Sequence, residues 1–269
     1  MMRVNLQSIL KYGIEIVSNM SEAADELLLK ICKCPNLHKS RDNTNHACNE
    51  IVNLQDITSD DFQLPEPWSG DLVNAPLLCI ASNPSINHEE KYPNSSWNDE
   101  EIIDFFRNRF SVDSKWTSKR RVLLSDGETY TRTPVSYWSK VHAQAKRAFA
   151  RDVRMGVDYA ITEVVHCKSV KELNVDVCKK ECWRLWMPQI INLSSASVLM
   201  LFGKHSTDWF EENHAHFHGK RIIEDLLVNG IPRTVVRLPH PTSWEKVKKM
   251  DELLTPLEMK IVQKRLKTD

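Results

Sequence analysis

The stretch Leu77-Leu78-Cys79-Ile80-Ala81-Ser82-Asn83-Pro84-Ser85 decides the fold. An apolar run held between Pro76 and Pro84 predicts a buried strand that stops abruptly. In open α/β sheets the ligand crevice lies outside the carboxyl ends of the strands, and Asn83 before a proline sets a polar amide on a rigid turn at that place. The plainer reading is a strand closed by an ordinary Asn-Pro turn.

Upstream, residues 3–31 read as two helical segments, with Leu6, Ile9, Leu10 and Ile14 on one stripe and Ala24, Leu27, Leu28 and Ile31 on another, Ser21 capping the second. Residues 35–62 are polar and read as an irregular connection around Cys32, Cys34 and Cys48. The division expected is an N-terminal segment over 1–67 packed on a domain over 68–269.

Downstream, Asn98 or Asp99 caps a helix carrying Ile102, Ile103, Phe105, Phe106 and Phe110, with Glu100 and Glu101 in its first turn. Residues 111–133 interleave Lys115, Lys119, Arg120, Arg121 and Arg132 with Trp116 and Tyr130. That mixture suits a loop facing nucleic acid or, equally, a solvated charged loop. A helix over 135–150, strands at Tyr159–Val165, Val198–Phe202 and Thr234–Leu238, and helices over 175–193 and from Gly203 through Trp209 follow. A closing helix over 243–266 is interrupted at Pro256. Strands alternating with helices predict a parallel sheet covered on both faces.

With 269 residues, 41% of them hydrophobic, the chain can bury one large core. Lys+Arg and Asp+Glu both number 36, so any basic face is local. Seven cysteines without framework spacing, and no apolar leader near Met1, point to free thiols in the cytoplasm. No apolar run approaches membrane-spanning length, so no membrane partner is expected. With seven glycines and no glycine-rich loop after the first strand, a nucleotide-binding enzyme on a doubly wound sheet is disfavoured.

Three strands end in polar residues: Asn83-Pro84-Ser85, Glu163 within Ile161-Thr162-Glu163-Val164-Val165-His166-Cys167, and His240-Pro241-Thr242-Ser243-Trp244. In order and spacing they resemble the uracil-DNA glycosylase superfamily over about residues 68 to 245. Cys182, Gln189-Ile190 and Val198-Leu199-Met200-Leu201-Phe202-Gly203-Lys204 look like that family's helix and strand leading into a glycine turn. The resemblance implies a three-layer α/β/α sandwich around a central parallel four-stranded sheet. It also implies hydrolysis of the bond between deoxyribose and a base flipped out of single- or double-stranded DNA. By the same resemblance, Asn83 orients the attacking water as an oxocarbenium-like sugar forms. His240 donates to the base O2 as charge builds there. Trp244, beside Thr242 and Ser243, is the wedge that enters the duplex, and Trp97 is a face for the flipped base. Packing roles are the duller reading of His240 and of both tryptophans.

The sequence departs from the family at two recognition positions. Glu163 stands where the family reads uracil with an asparagine. An ionised carboxylate only accepts, so it suits the amino group of cytosine, and a protonated one also donates to cytosine N3, helping a poor leaving group. A salt-bridge role is the alternative. Ser85 stands where uracil-specific members carry a tyrosine that blocks base C5, so substituents there have room. A C5-modified cytosine such as the glucosylated hydroxymethylcytosine of phage DNA fits both positions, and resembles the antiviral branch of the superfamily. A uracil enzyme of base-excision repair and a non-catalytic DNA-binding module are the competing readings, and retention of Asn83 and His240 together speaks against the latter. Catalysis requires no cofactor and a monomer is expected. Some members hold an iron-sulfur cluster, for which Cys167 and Cys182 have about the right separation. Their partners would come from Cys32, Cys34 and Cys48, although Cys32-Lys33-Cys34 is one residue short of the expected spacing, and free buried thiols are the alternative.

Overall fold

The computed structural model describes residues 6–267, with side chains from residue 19 onward. Its strands are β1 (Trp68–Ser69), β2 (Leu77–Ala81), β3 (Thr117–Ser118), β4 (Arg121–Val122), β5 (Tyr159–Glu163), β6 (Val198–Phe202), β7 (Ile222–Val228) and β8 (Ile231–Leu238). Six of them form one mixed sheet in the order β1-β5-β2-β6-β8-β7. Neighbours β5, β2, β6 and β8 run parallel. The sheet is larger than the four strands expected, because β1 and β7 add antiparallel edges. Neither edge carries a clean apolar run: β1 has two residues, and Glu224-Asp225 interrupts β7, where the register shifts and Asp225 takes φ +50°.

The helices are α1 (Leu6–Cys32), α2 (Asn36–Arg41), α3 (Asn49–Val52), α4 (Asp99–Asn108), α5 (Ser136–Phe149), α6 (Val175–Leu193), α7 (Gly203–Asn213), α8 (Met250–Leu253) and α9 (Pro256–Arg265). Side chains alternate across the sheet as strand geometry requires. Leu78, Ile80, Leu199 and Leu201 pack with α1, α4, α6 and α7 on one face. Leu77, Cys79, Met200 and Phe202 pack with α5, α8 and α9 on the other. The residues of β2, β5 and β6 are buried throughout, which explains the continuous apolar runs of β2 and β6.

Several boundaries differ from the sequence reading. Residues 6–32 form one helix, so Ser21 lies inside it and caps nothing. The stripe Leu6, Ile9, Leu10 and Ile14 lies outside the described side chains. The 35–62 connection contains α2 and α3. The closing segment is two short helices. Pro256 begins α9, where a missing N–H costs nothing, and Thr255 and Glu258 cap it reciprocally. Asn98 and Glu101 form the same box at α4, as the sequence suggests. Within 111–133 lies the hairpin β3-β4, with Lys119 and Arg120 left-handed at its turn. Trp116 there is buried and donates to Asp104 Oδ2 at 3.0 Å, so it serves packing.

Arg233 of β8 is fully buried and donates to the carbonyls of Ile191, Ser194 and Ala196 at 3.0, 2.6 and 2.9 Å. It thereby closes the carboxyl end of α6, whose last carbonyls have no partner within the helix. Arg233→Leu is expected to lower stability by about 3 kcal/mol or more by stranding these carbonyls. Urea unfolding should show this as an earlier midpoint.

Candidate active site

Asn83, Glu163 and His240 all sit at or just beyond the carboxyl ends of parallel strands. Ala81 pairs with Glu163, and the pairing runs on through Val164 N to Ala81 O (3.0 Å) and Val165 N to Ser82 O (2.9 Å), so the chain leaving β5 lies beside Asn83. The Asn83 amide nitrogen donates to Ser169 Oγ and Pro84 O, both at 2.9 Å. Both amide hydrogens are thereby used within the protein. Among the described residues nothing donates to Oδ1, so the half-buried amide offers an acceptor on a fixed frame.

His240 is placed by a close approach. Gly203, between β6 and α7, has φ +83°, and a Cβ there would lie 3.0 Å from His240 Cβ. The His240 Nδ1 lies 3.3 Å from Thr242 N and 2.9 Å from Thr242 Oγ1. A backbone N–H only donates, so Nδ1 accepts and the neutral ring carries its hydrogen on Nε2. Burial, with Lys140, His205 and Lys248 nearby, lowers its pKa and favours the neutral ring, despite the opposing charge of Glu172. Tyr137 of α5 stacks on the imidazole at 5.7 Å and 12°.

Glu163 is buried, and its Oε2 has no hydrogen-bond partner. Burial first, and the charge of Glu66 next, push its carboxyl well above the usual range, against the pull of Arg109 and Lys168. Tyr137 joins this group to His240. Its Oη is also buried and unpartnered, and burial followed by the charge of Glu163 raises its pKa. Ser82 Oγ, after β2, and Ser243 Oγ, after β8, are two more buried atoms without partners. Buried polar atoms are nearly always paired. Four unpaired ones at one edge of the sheet mark where water or a polar ligand completes the bonding.

A charged cluster accompanies Glu163. Arg109, 1% exposed, holds Glu66 at 3.1 Å and Glu90 at 2.6 Å. Tyr92 Oη donates to Glu66 Oε2 at 2.9 Å, and the buried Lys168 ammonium lies 3.4 Å from the centre of the Tyr92 ring. Burial lowers Lys168 to about 8. Sequence reading missed Glu66, Glu90, Arg109, Lys168 and Tyr137, which belong to no motif. The available signals were Glu66 between two prolines just before β1, and Lys168 directly after an apolar run.

Ser85 is exposed beyond Asn83. Trp244 is fully exposed at 102%, so it is not a core residue. Thr242 is exposed and holds His240, while Ser243 N donates to His240 O at 2.9 Å, closing the turn. Trp97 is half-buried at the margin of the core, packed on Trp116 at 5.0 Å and edge-on against Phe105 at 5.9 Å, and none of its ring contacts is with Asn83, Glu163 or His240.

Away from this edge, Cys34, Cys48, Cys167, Cys178 and Cys182 line one small cavity beside Trp186. Burial raises all five thiols, and they lie close enough that Cys34, Cys48 and Cys178 each add to the rise at Cys182. Cys32 lines a different cavity, with Trp97 and Ile102, which Cys34 also borders, so of the three N-terminal cysteines Cys34 and Cys48 are the two beside Cys167 and Cys182. Among the described residues no group of His, Cys, Asp or Glu is arranged to hold a metal ion. Also among the described residues, no helix is long and apolar enough to cross a membrane. Neither a protein-family model nor a curated protein matches the chain.

Proposed function

We propose that the chain is a DNA glycosylase of the uracil-DNA glycosylase type, which hydrolyses the bond between deoxyribose and a flipped-out, C5-modified cytosine and leaves an abasic site. Glucosylated hydroxymethylcytosine of phage DNA is the substrate that best suits Glu163 and Ser85. The observation that carries this reading is the meeting at one sheet edge of a free amide acceptor, an Nε2–H donor and a buried unpaired carboxyl.

Asn83 Oδ1 accepts from a water and aims it at C1′. An amide cannot take the water's proton as a carboxylate does, so bond breaking leads and the sugar becomes oxocarbenium-like before water adds. His240 Nε2–H donates to the base O2 as negative charge builds. A neutral Glu163 accepts from the cytosine amino group and donates to N3. Because a neutral carboxyl has both a donor and an acceptor, it also matches O4 and N3–H of uracil, which keeps a uracil enzyme as the second reading.

The test is to offer DNAs carrying uracil, cytosine, 5-methylcytosine, hydroxymethylcytosine or its glucoside, and to identify released bases by mass spectrometry. Release of the C5-modified cytosine with alkali-labile sites is expected. Binding without release from any of them would leave a DNA-binding module. Trp244→Ala is expected to slow release from duplex DNA by roughly tenfold or more, since unstacking a base step costs a few kcal/mol, and to matter less on single strands. Comparing the two substrates checks the wedge.

The five-cysteine cavity supports a second proposal, an iron-sulfur cluster held by Cys34, Cys48, Cys167 and Cys182, with no step of the reaction passing through it. Protein purified without oxygen is expected to contain iron and acid-labile sulfide. Iron-free protein with all seven cysteines reactive after unfolding would overturn it.

A further inference from the structure

Glu163 is one member of a buried charged group drawn from several parts of the chain. Glu66 precedes β1, Glu90 and Tyr92 follow β2, Arg109 ends α4, Tyr137 begins α5 and Lys168 follows β5. Arg109 bridges Glu66 and Glu90 at 3.1 and 2.6 Å, lengths of charge-assisted bonds. Glu66 also accepts from Ser69 Oγ at 3.2 Å and Tyr92 Oη at 2.9 Å, and so is fully engaged as a carboxylate. Lys168 supplies the second cation against the Tyr92 ring. Two carboxylates and two cations cancel. Glu163, 4% exposed and with an unpartnered Oε2, is the carboxyl left over. Ionised, it would give the cluster an uncompensated negative charge away from water, which is strongly disfavoured.

We propose that Glu66, Glu90, Arg109 and Lys168 form a charge-balanced plate that keeps a proton on Glu163, and that Glu163 is the general acid of base release. The second half rests on the glycosylase reading; the first does not. In the step, the C1′–N1 bond breaks and its electron pair goes to the base. Glu163 gives its proton to N3, so the cytosine leaves neutral. Water adds its oxygen to C1′, and the proton it loses restores Glu163 through solvent. Uracil, already bearing hydrogen at N3, has no use for that proton. Glu66 and Lys168 are positioning residues that act through Glu163.

Their charges make opposite predictions. Glu66→Gln removes the negative charge that most raises Glu163 and leaves the plate one positive charge in excess, so Glu163 should ionise at lower pH. Lys168→Met leaves one negative charge in excess, so Glu163 should keep its proton to higher pH. Shifts of about 1 to 3 pH units are expected, as for a unit charge within several ångströms. The readout is the carbonyl stretch of a protonated carboxyl in infrared difference spectra of DNA-free protein, identified by its loss in Glu163→Gln. The alkaline limb of the pH–rate profile should move with it. Absence of the band from the wild type at neutral pH overturns the proposal, as do shifts in the same direction in both variants. The wild-type band decides even if a variant does not fold. Opposite shifts without base release from any DNA would keep the plate and remove the glycosylase reading, whereas base release without them would do the reverse.

Discussion

His240→Ala is expected to lower the rate of base release by about 10² to 10³, the cost of removing one fixed donor from a developing anion. The geometry supports an effect of that size. Thr242 holds Nδ1, Tyr137 covers a ring face, and Gly203 lets the turn approach closely, so Nε2–H needs little rearrangement to donate. Asn83→Ala should also cost a large factor, by removing both the acceptor for water and the bond to Ser169. Both residues lie outside the strands, so melting temperatures should change little. Single-turnover rates with unchanged circular dichroism check the pair. Unchanged base release in both variants would sink the catalytic assignment.

Glu163→Asn should change the substrate. Asparagine keeps one donor and one acceptor, which match O4 and N3–H of uracil, but has no proton to transfer to a departing cytosine. Release of modified cytosine is expected to fall by about 10² or more, the usual contribution of a general acid, and uracil release to appear. Competition between the two substrates in one tube measures the switch. Wild-type protein that removes uracil and ignores every C5-modified cytosine would show that Glu163 and Ser85 are misread. Stability should move the other way. The folded protein favours the protonated carboxyl, so its favourable contribution is complete below the unfolded pKa and is lost as pH rises. At neutral pH the asparagine variant should therefore melt higher than wild type, and the difference should fade below about pH 4.

The sheet centre was legible in the sequence because β2, β5, β6 and β8 contain runs of buried apolar residues, and a strand buried on both faces can hold little else. The edges were not. Ile222–Val228 carries an acidic pair inside its run, and Trp68–Ser69 is too short to show a period. Asn83, Glu163 and His240 were legible because each follows such a run. The contacts of Trp97 were not legible, because an aromatic residue looks the same in sequence whether it meets a base or Phe105. The charged plate stayed hidden for a related reason: its members come from distant segments and meet only through the sheet.

The irregular edge at β7 also bears on how molecules of this protein behave toward one another. An open sheet edge is a template onto which a second chain can add a strand. Here the row of backbone groups is broken at Glu224 and Asp225, and Arg265 from α9 reaches Asp225 at 3.4 Å. The opposite edge presents only the two residues of β1. An incoming strand would find few consecutive bonds on either side and an ion pair to displace on one. The sheet is thus built to stop growing at the boundary of a single molecule, a safeguard for a chain whose central strands are among the most aggregation-prone segments it contains.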